Sequence, residues 1–218
     1  MSNPKLNGIV QSAPNKSLGF DASTPISSHI AQAFYNQGYR FCIRYIFIGS
    51  KYSDLSYEEA SGILEGGFAL MPAQHVPEPE WLPTADLGKN HGENTAVSTD
   101  KVGFPPKVNV WCSLEEISSS AKAPDVIDYC NAWYDAVAAW GYIPGLYVPE
   151  NSILNGEQLS NDLKFQHFWQ SEGNVPNVYR GYQMVRSYVI EPVNGIGIDK
   201  LITYIDDEGG QPQWLIKR

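Results

Sequence analysis

The chain has 218 residues, 43% of them hydrophobic and 18% charged, which suits one substantial globular domain and excludes a disordered segment. A formal net charge of -9 excludes a duplex nucleic-acid binder, since such proteins displace counterions with clustered Lys and Arg. No apolar run is long enough to span a bilayer, so no membrane span is expected.

Three cysteines cannot all pair within one chain, and Cys42, Cys112 and Cys130 read as buried thiols. No Cys or His spacing suggests a zinc site, so neither a metal nor a cofactor is expected. The first residues, MSNPKLNGIVQSAPNKS, lack the apolar stretch of a signal peptide. The expectation is a monomer that stays in the cytosol or leaves by a route other than the general secretory one. Six Trp and thirteen Tyr exceed simple packing needs, and sugar-binding clefts use such rings as stacking platforms.

Residues 1–16, polar with Gly and Pro, read as a flexible lead-in, and 17–218 as one domain. LGFDAS then reads as a strand, SHIAQAFYNQGY as a helix closed by Gly38, and FCIRYIFIG as a second strand. SYEEASGILEGG opens with a capping box from Ser56 to Glu59 and ends on two glycines. FALMPAQHV is a third strand. The loop-rich stretch that follows holds a possible helix in its second half. VNVWCSLEE is a buried fourth strand, apolar through Leu114 and acidic at its end. Val126, Cys130, Trp133, Val137 and Trp140 then draw one apolar helical stripe. IPGLYVPE is a fifth strand and EQLSNDLKF a short helix. HFWQSEG, YRGYQMVR and GIGIDKLITY follow with little helix between them. YIDDEGGQPQWLI reads as a hairpin-like tail around Gly209-Gly210. About eight strands alternating with helices predict an α/β fold: a single irregular (β/α)8-type TIM barrel whose last strands lack full helices. A doubly wound open sheet is the alternative, but no glycine-rich nucleotide loop recommends it.

In such a barrel, reactive groups stand at the carboxyl ends of strands. Asp21, Glu115 and Asp199 occupy such ends, from distant parts of the chain. Hydrolysis of a glycosidic bond uses two carboxyl groups, one to protonate the leaving oxygen and one to act on the anomeric side. Glu115 is the stronger candidate acid, because its apolar strand should raise its pKa. An acid after a strand is also often only a helix cap, and Asp21 precedes a helix. Gln74, His75, Tyr147, Trp169 and Gln183 are the candidate substrate-binding groups on other strands. Arg44 joins them, and it is expected either to bridge to a buried carboxylate such as Asp21 or to reach the rim.

GFDAS, RYIFIG, VNVWCSLEE, YCNAWYDAVAAWGYIPGLYV, YQMV and GIGIDKL occur in this order. Together they resemble the glycoside-hydrolase-like domain of unknown function found in many bacterial proteins. That family is related to the family 25 lysozymes, which cleave the glycan strands of peptidoglycan. The resemblance runs from about Leu18 to Tyr204 and implies a cleft holding Asp21, Glu115 and Asp199. The related lysozymes carry Asp-x-Glu where this chain has Ser113-Leu114-Glu115, and a serine cannot supply the missing negative charge. Two functions are therefore expected. One is a glycoside hydrolase acting on a cell-wall or related polysaccharide, with Glu115 as general acid and Asp21 or Asp199 as partner. The other is a catalytically degenerate glycan-binding barrel, including a secreted or delivered effector.

Overall fold

The computed structural model describes residues 3–48, 54–189 and 192–218. Gly49, the last residue of the second predicted strand, and the first two of the expected lead-in lie outside them. Eight strands close into a barrel: β2 (Leu18–Ala22), β3 (Phe41–Phe47), β4 (Ala69–His75), β5 (Asn109–Ser113), β6 (Ile143–Val148), β7 (His167–Gln170), β8 (Met184–Ser187) and β9 (Asp199–Thr203). The circle closes where Ala73 and Gln74 of β4 meet Trp111 and Cys112 of β5.

Strands β2 through β8 run parallel, but β9 is antiparallel to both of its neighbours. The expected carboxyl-end position of Asp199 is corrected accordingly. It is the first residue of β9, and the reversed strand brings it level with the last residues of the others, opposite Asp21.

Five helices are present among the described residues: α1 (Ser28–Asn36), α2 (Tyr57–Glu65), α3 (Ala85–Val102), α4 (Ala123–Ala138) and α5 (Gly156–Asn161). They follow β2 to β6 in turn, so a regular eightfold β/α repeat does not describe the fold. None is long and apolar enough to cross a membrane.

Two sequence readings are corrected at the termini. Gly8–Ser12 of the expected lead-in forms β1, paired antiparallel with β10 (Gln213–Lys217). The expected tail hairpin does not form, because β10 pairs with β1 and meets β4 at Leu70 instead of folding back on β9. A five-residue strand that gains its partner from about 200 residues away leaves little local signature. The α4 stripe holds through Val137, whereas Trp140 lies past the helix end and is exposed. Ser56 caps α2 through the Glu59 amide, but the Glu59 carboxylate turns to Arg44, so the reciprocal half of the capping box is absent.

Strand alternation sorts the side chains. Phe41, Trp111, Tyr147 and Trp169 fill the interior, with Trp111 and Trp169 in edge contact at 6.0 Å. A Cβ on Gly145 would lie 2.4 Å from the Trp111 ring, so glycine makes room for that indole. The opposite strand faces meet the helices. There α3 crosses α4 closely: a Cβ on Gly88 would lie 2.2 Å from the Tyr129 carbonyl oxygen. Replacing Gly88 with Ala should force the two helices apart and lower stability by about 1–3 kcal/mol, measured by urea unfolding.

Candidate active site

The carboxyl ends of the parallel strands surround a cleft of about 380 Å3, lined in part by Asp21, Tyr45, His75, Glu115, Arg186 and Asp199. The three carboxylates singled out from sequence converge here, and Arg186 of β8 joins them. Its Nη1 donates to Glu115 Oε1 at 2.6 Å and to the Tyr147 hydroxyl at 2.9 Å. Its Nε donates to Asp199 Oδ2 at 2.9 Å, and its Nη2 donates to the same oxygen. Asp21 Oδ2 lies 3.4 Å from Nε, close enough for an ion pair. The guanidinium also stands 5.3 Å from the ring centres of both Tyr147 and Tyr188. Burial opposes its charge, but Asp21, Tyr45, Glu115 and Tyr147 outweigh that effect and hold it protonated.

The carboxylates differ in environment. Asp21 is buried, with its side chain only 4% exposed, whereas that of Asp199 is 19% and that of Glu115 25% exposed. Tyr45 donates to Asp21 Oδ1 at 2.7 Å, while Oδ2 is buried with no hydrogen-bond partner among the described residues. Burial raises the Asp21 carboxyl to about 7; Arg186 and Tyr45 oppose the shift, and Asp199 and Glu115 add to it. The burial expected at Glu115 therefore belongs to Asp21. Ser113 Oγ accepts the Glu115 amide at 3.2 Å and so shapes the turn that carries Glu115.

His75 lies at the rim with Nδ1 3.6 Å from Glu115 Oε2, and burial lowers its pKa despite Glu115 and Glu116. Tyr147 is 1% exposed and touches the site only through its hydroxyl on Arg186. The other candidates stand elsewhere. Arg44 points out of the barrel to α2: its Nε donates to Glu59 Oε1 at 2.6 Å and its Nη1 to the Ala22 carbonyl at 2.8 Å. The expected Arg44–Asp21 bridge is thus corrected to Arg44–Glu59, because alternate residues of β3 face opposite sides and Tyr45 takes the inner one. Gln74 likewise faces the helix layer, near Cys112 and Tyr129. Trp169 is 1% exposed beneath Tyr147, their rings 4.4 Å apart. Gln183 precedes β8 at the far end of the barrel, where its side chain meets the Phe168 amide, the Gln166 carbonyl and Asp206.

Sequence reasoning missed Arg186 and Tyr45. An arginine within the apolar run MVRSYV is a legible signal, of the same kind that drew attention to Arg44. Among the described residues no group of three or more His, Cys, Asp or Glu is arranged to hold a metal ion.

A family model described as Rv2525c-like, glycoside hydrolase-like domain matches residues 32–200. The chain belongs to that family. The match spans Glu115, Arg186 and Asp199, and begins after Asp21. No curated protein matches the sequence significantly. Among solved structures, the Tat-secreted protein Rv2525c of Mycobacterium tuberculosis, in complex with L-tartrate, is similar with a TM-score of 0.70 and 17% identity. That likeness covers 90% of this chain and 99% of that one. A family 25 glycosyl hydrolase from Bacillus anthracis gives 0.60 and 13%, covering 89% and 91%. A muramidase from Acremonium alcalophilum gives 0.59 and 16%, covering 88% and 96%. At these identities the likeness establishes the shared fold of this Rv2525c-like domain.

The Asp21 environment has a measurable consequence. Its carboxyl ionises at about pH 7 in the fold against 3.8 ordinarily, so the folded state binds the proton more tightly. Stability from this group is full below about pH 4 and is lost as pH rises to about 7. Asp21→Asn, which cannot ionise, should therefore gain on the wild type across that window, by on the order of 4 kcal/mol. Urea midpoints of both proteins at pH 4, 5.5 and 7.5 would test this; a constant difference would refute it.

Proposed function

We propose that this Rv2525c-like domain is a glycoside hydrolase of cell-wall or related polysaccharide, with Glu115 and Asp21 as its carboxyl pair. The carrying observation is that two carboxyl groups of unlike environment face one open cleft. Enzymes that cleave glycosidic bonds need one group holding a proton and one ionised. Glu115, the most exposed and bonded to Arg186, is suited to the ionised role at the anomeric centre. Asp21, raised to about 7 by burial, is suited to hold the proton. This exchanges the roles that the sequence suggests. The fold shared with a family 25 glycosyl hydrolase and a muramidase supports the substrate class. In the proposed step the Asp21 proton passes to the glycosidic oxygen as the bond to the anomeric carbon breaks, and Glu115 balances the positive charge developing on the sugar. A water then bonds to the anomeric carbon and gives its proton to the Asp21 carboxylate, which restores the acid.

One observation favours a second reading. Arg186 contacts all three carboxylates, and a guanidinium that neutralises them suits a glycan-binding barrel without turnover. Release of reducing ends from purified peptidoglycan and a panel of β-linked glycans decides between the two. The hydrolase reading expects release that falls about a hundredfold or more in both Asp21→Asn and Glu115→Gln. It also expects the wild-type rate to fall as pH rises above about 7, as Asp21 loses its proton. Saturable glycan binding without any release would establish the binding reading instead.

A further inference from the structure

The cleft does not end at Glu115. That residue also lines a second cavity of about 260 Å3 on its other side. The second shares Asn151, Ser152 and Ile153 with a third of about 400 Å3, so the three adjoin through common walls. Such a row of cavities suits a linear chain better than a single small molecule.

Tyr188 forms part of the middle cavity's wall and is 53% exposed. A surface tyrosine ordinarily turns about its side-chain bonds, but two contacts hold this ring and a third holds its backbone. Its hydroxyl lies 3.1 Å from Ser171 Oγ, and its amide donates to Glu172 Oε2 at 2.9 Å. Its ring centre stands 5.3 Å from the Arg186 guanidinium carbon. A ring held in place while half exposed has lost its rotational freedom before any ligand arrives, which lowers the cost of binding. The C–H face of a sugar ring is the natural partner for such a surface, being apolar across the ring and rich in hydroxyls at its edge.

Charge narrows the ligand. The charged side chains of this cavity among the described residues are Glu115, Glu116 and Glu150, all acidic. A uronate or phosphate placed there would meet repulsion that a neutral or amine-bearing sugar would not.

We propose that the cavity beside Tyr188 is a subsite for a further sugar ring of a bound glycan chain, stacked on Tyr188, and that it takes neutral or amine-bearing sugars and rejects anionic ones. The proposal rests on the glycan reading of the cleft. Calorimetry on the full chain tests it, with the amino-sugar arms carrying Glu115→Gln to suppress turnover and the hexagalacturonate arm run on the unsubstituted protein, where Glu115, Glu116 and Glu150 are all present. The probes are the dimer and hexamer of N-acetylglucosamine, the glucosamine hexamer and hexagalacturonate. The acetylated hexamer should bind at least tenfold tighter than the dimer, the glucosamine hexamer at least as tightly, and hexagalacturonate without saturation. Adding Tyr188→Ala should remove that tenfold gain and leave dimer affinity within twofold, whereas Tyr188→Phe should keep the gain. Unchanged hexamer affinity in Tyr188→Ala, equal losses in the Phe and Ala variants, or tight binding of hexagalacturonate would overturn the subsite while leaving the glycan reading standing. If none of the amino-sugar oligomers binds, both fall together.

Discussion

The mouth of this barrel is organised around one buried positive charge. Arg186 is 8% exposed, and a guanidinium taken so far out of water is tolerable only with ionised partners in good geometry. It finds them on the turn after β5, in Glu115, and on β9, in Asp199, with a hydroxyl from β6, while Asp21 of β2 stands beside it at 3.4 Å without a hydrogen bond. Removing one partner of such a buried set typically costs about 3–5 kcal/mol, because the remainder is left uncompensated. The same contacts that stabilise the barrel mouth therefore fix the relative positions of the groups that could perform chemistry there.

Two features of the scaffold make that arrangement possible. The reversal of β9 brings Asp199 beside Asp21 at the mouth, where a parallel strand would have put its opposite end. Outside the barrel, Arg44 pairs with Glu59 of α2 and also reaches the Ala22 carbonyl at the end of β2. Glu59 in turn accepts the Ile26 amide at 2.8 Å. This second ion pair ties the segment following Asp21 to the helix layer, so the two arginines act on opposite faces of the same strand end.

The functional question is set by the balance of charge within the cleft. Three carboxylates and one guanidinium would carry a net negative charge if all were ionised, and burial relieves part of it by keeping a proton on Asp21 near neutral pH. The proton held there and the more accessible Glu115 are the asymmetric pair on which the proposed hydrolysis rests. Arg186 pulls the other way by occupying carboxylate oxygens that a substrate would need. Ser113 belongs to the same contest, since it shapes the Glu115 turn where a further acid would have added charge.

Much of this was legible in the sequence, because it depends on local pattern. Apolar runs bounded by glycines and polar turns mark β2 through β6 and the helices between them, and the shortage of helix near the end is visible in the same way. The meeting of Asp21 and Glu115 followed from placing acids at the carboxyl ends of strands, whereas Asp199 joins them only because β9 is reversed. What the tertiary structure alone decided are the relations that have no local signature. Strand direction is one, since β9 looks the same run either way. The pairing of β1 with β10 is another, since its two halves lie at opposite ends of the chain. The choice of arginine is the third: both Arg44 and Arg186 sit in apolar strands, and only the face each presents once the barrel closes determines which meets helix α2 and which meets the acids. Burial follows from that closure too, which is why the most enclosed carboxyl is Asp21, covered by Tyr45 and Arg186, while Glu115 stays partly exposed on its turn at the rim.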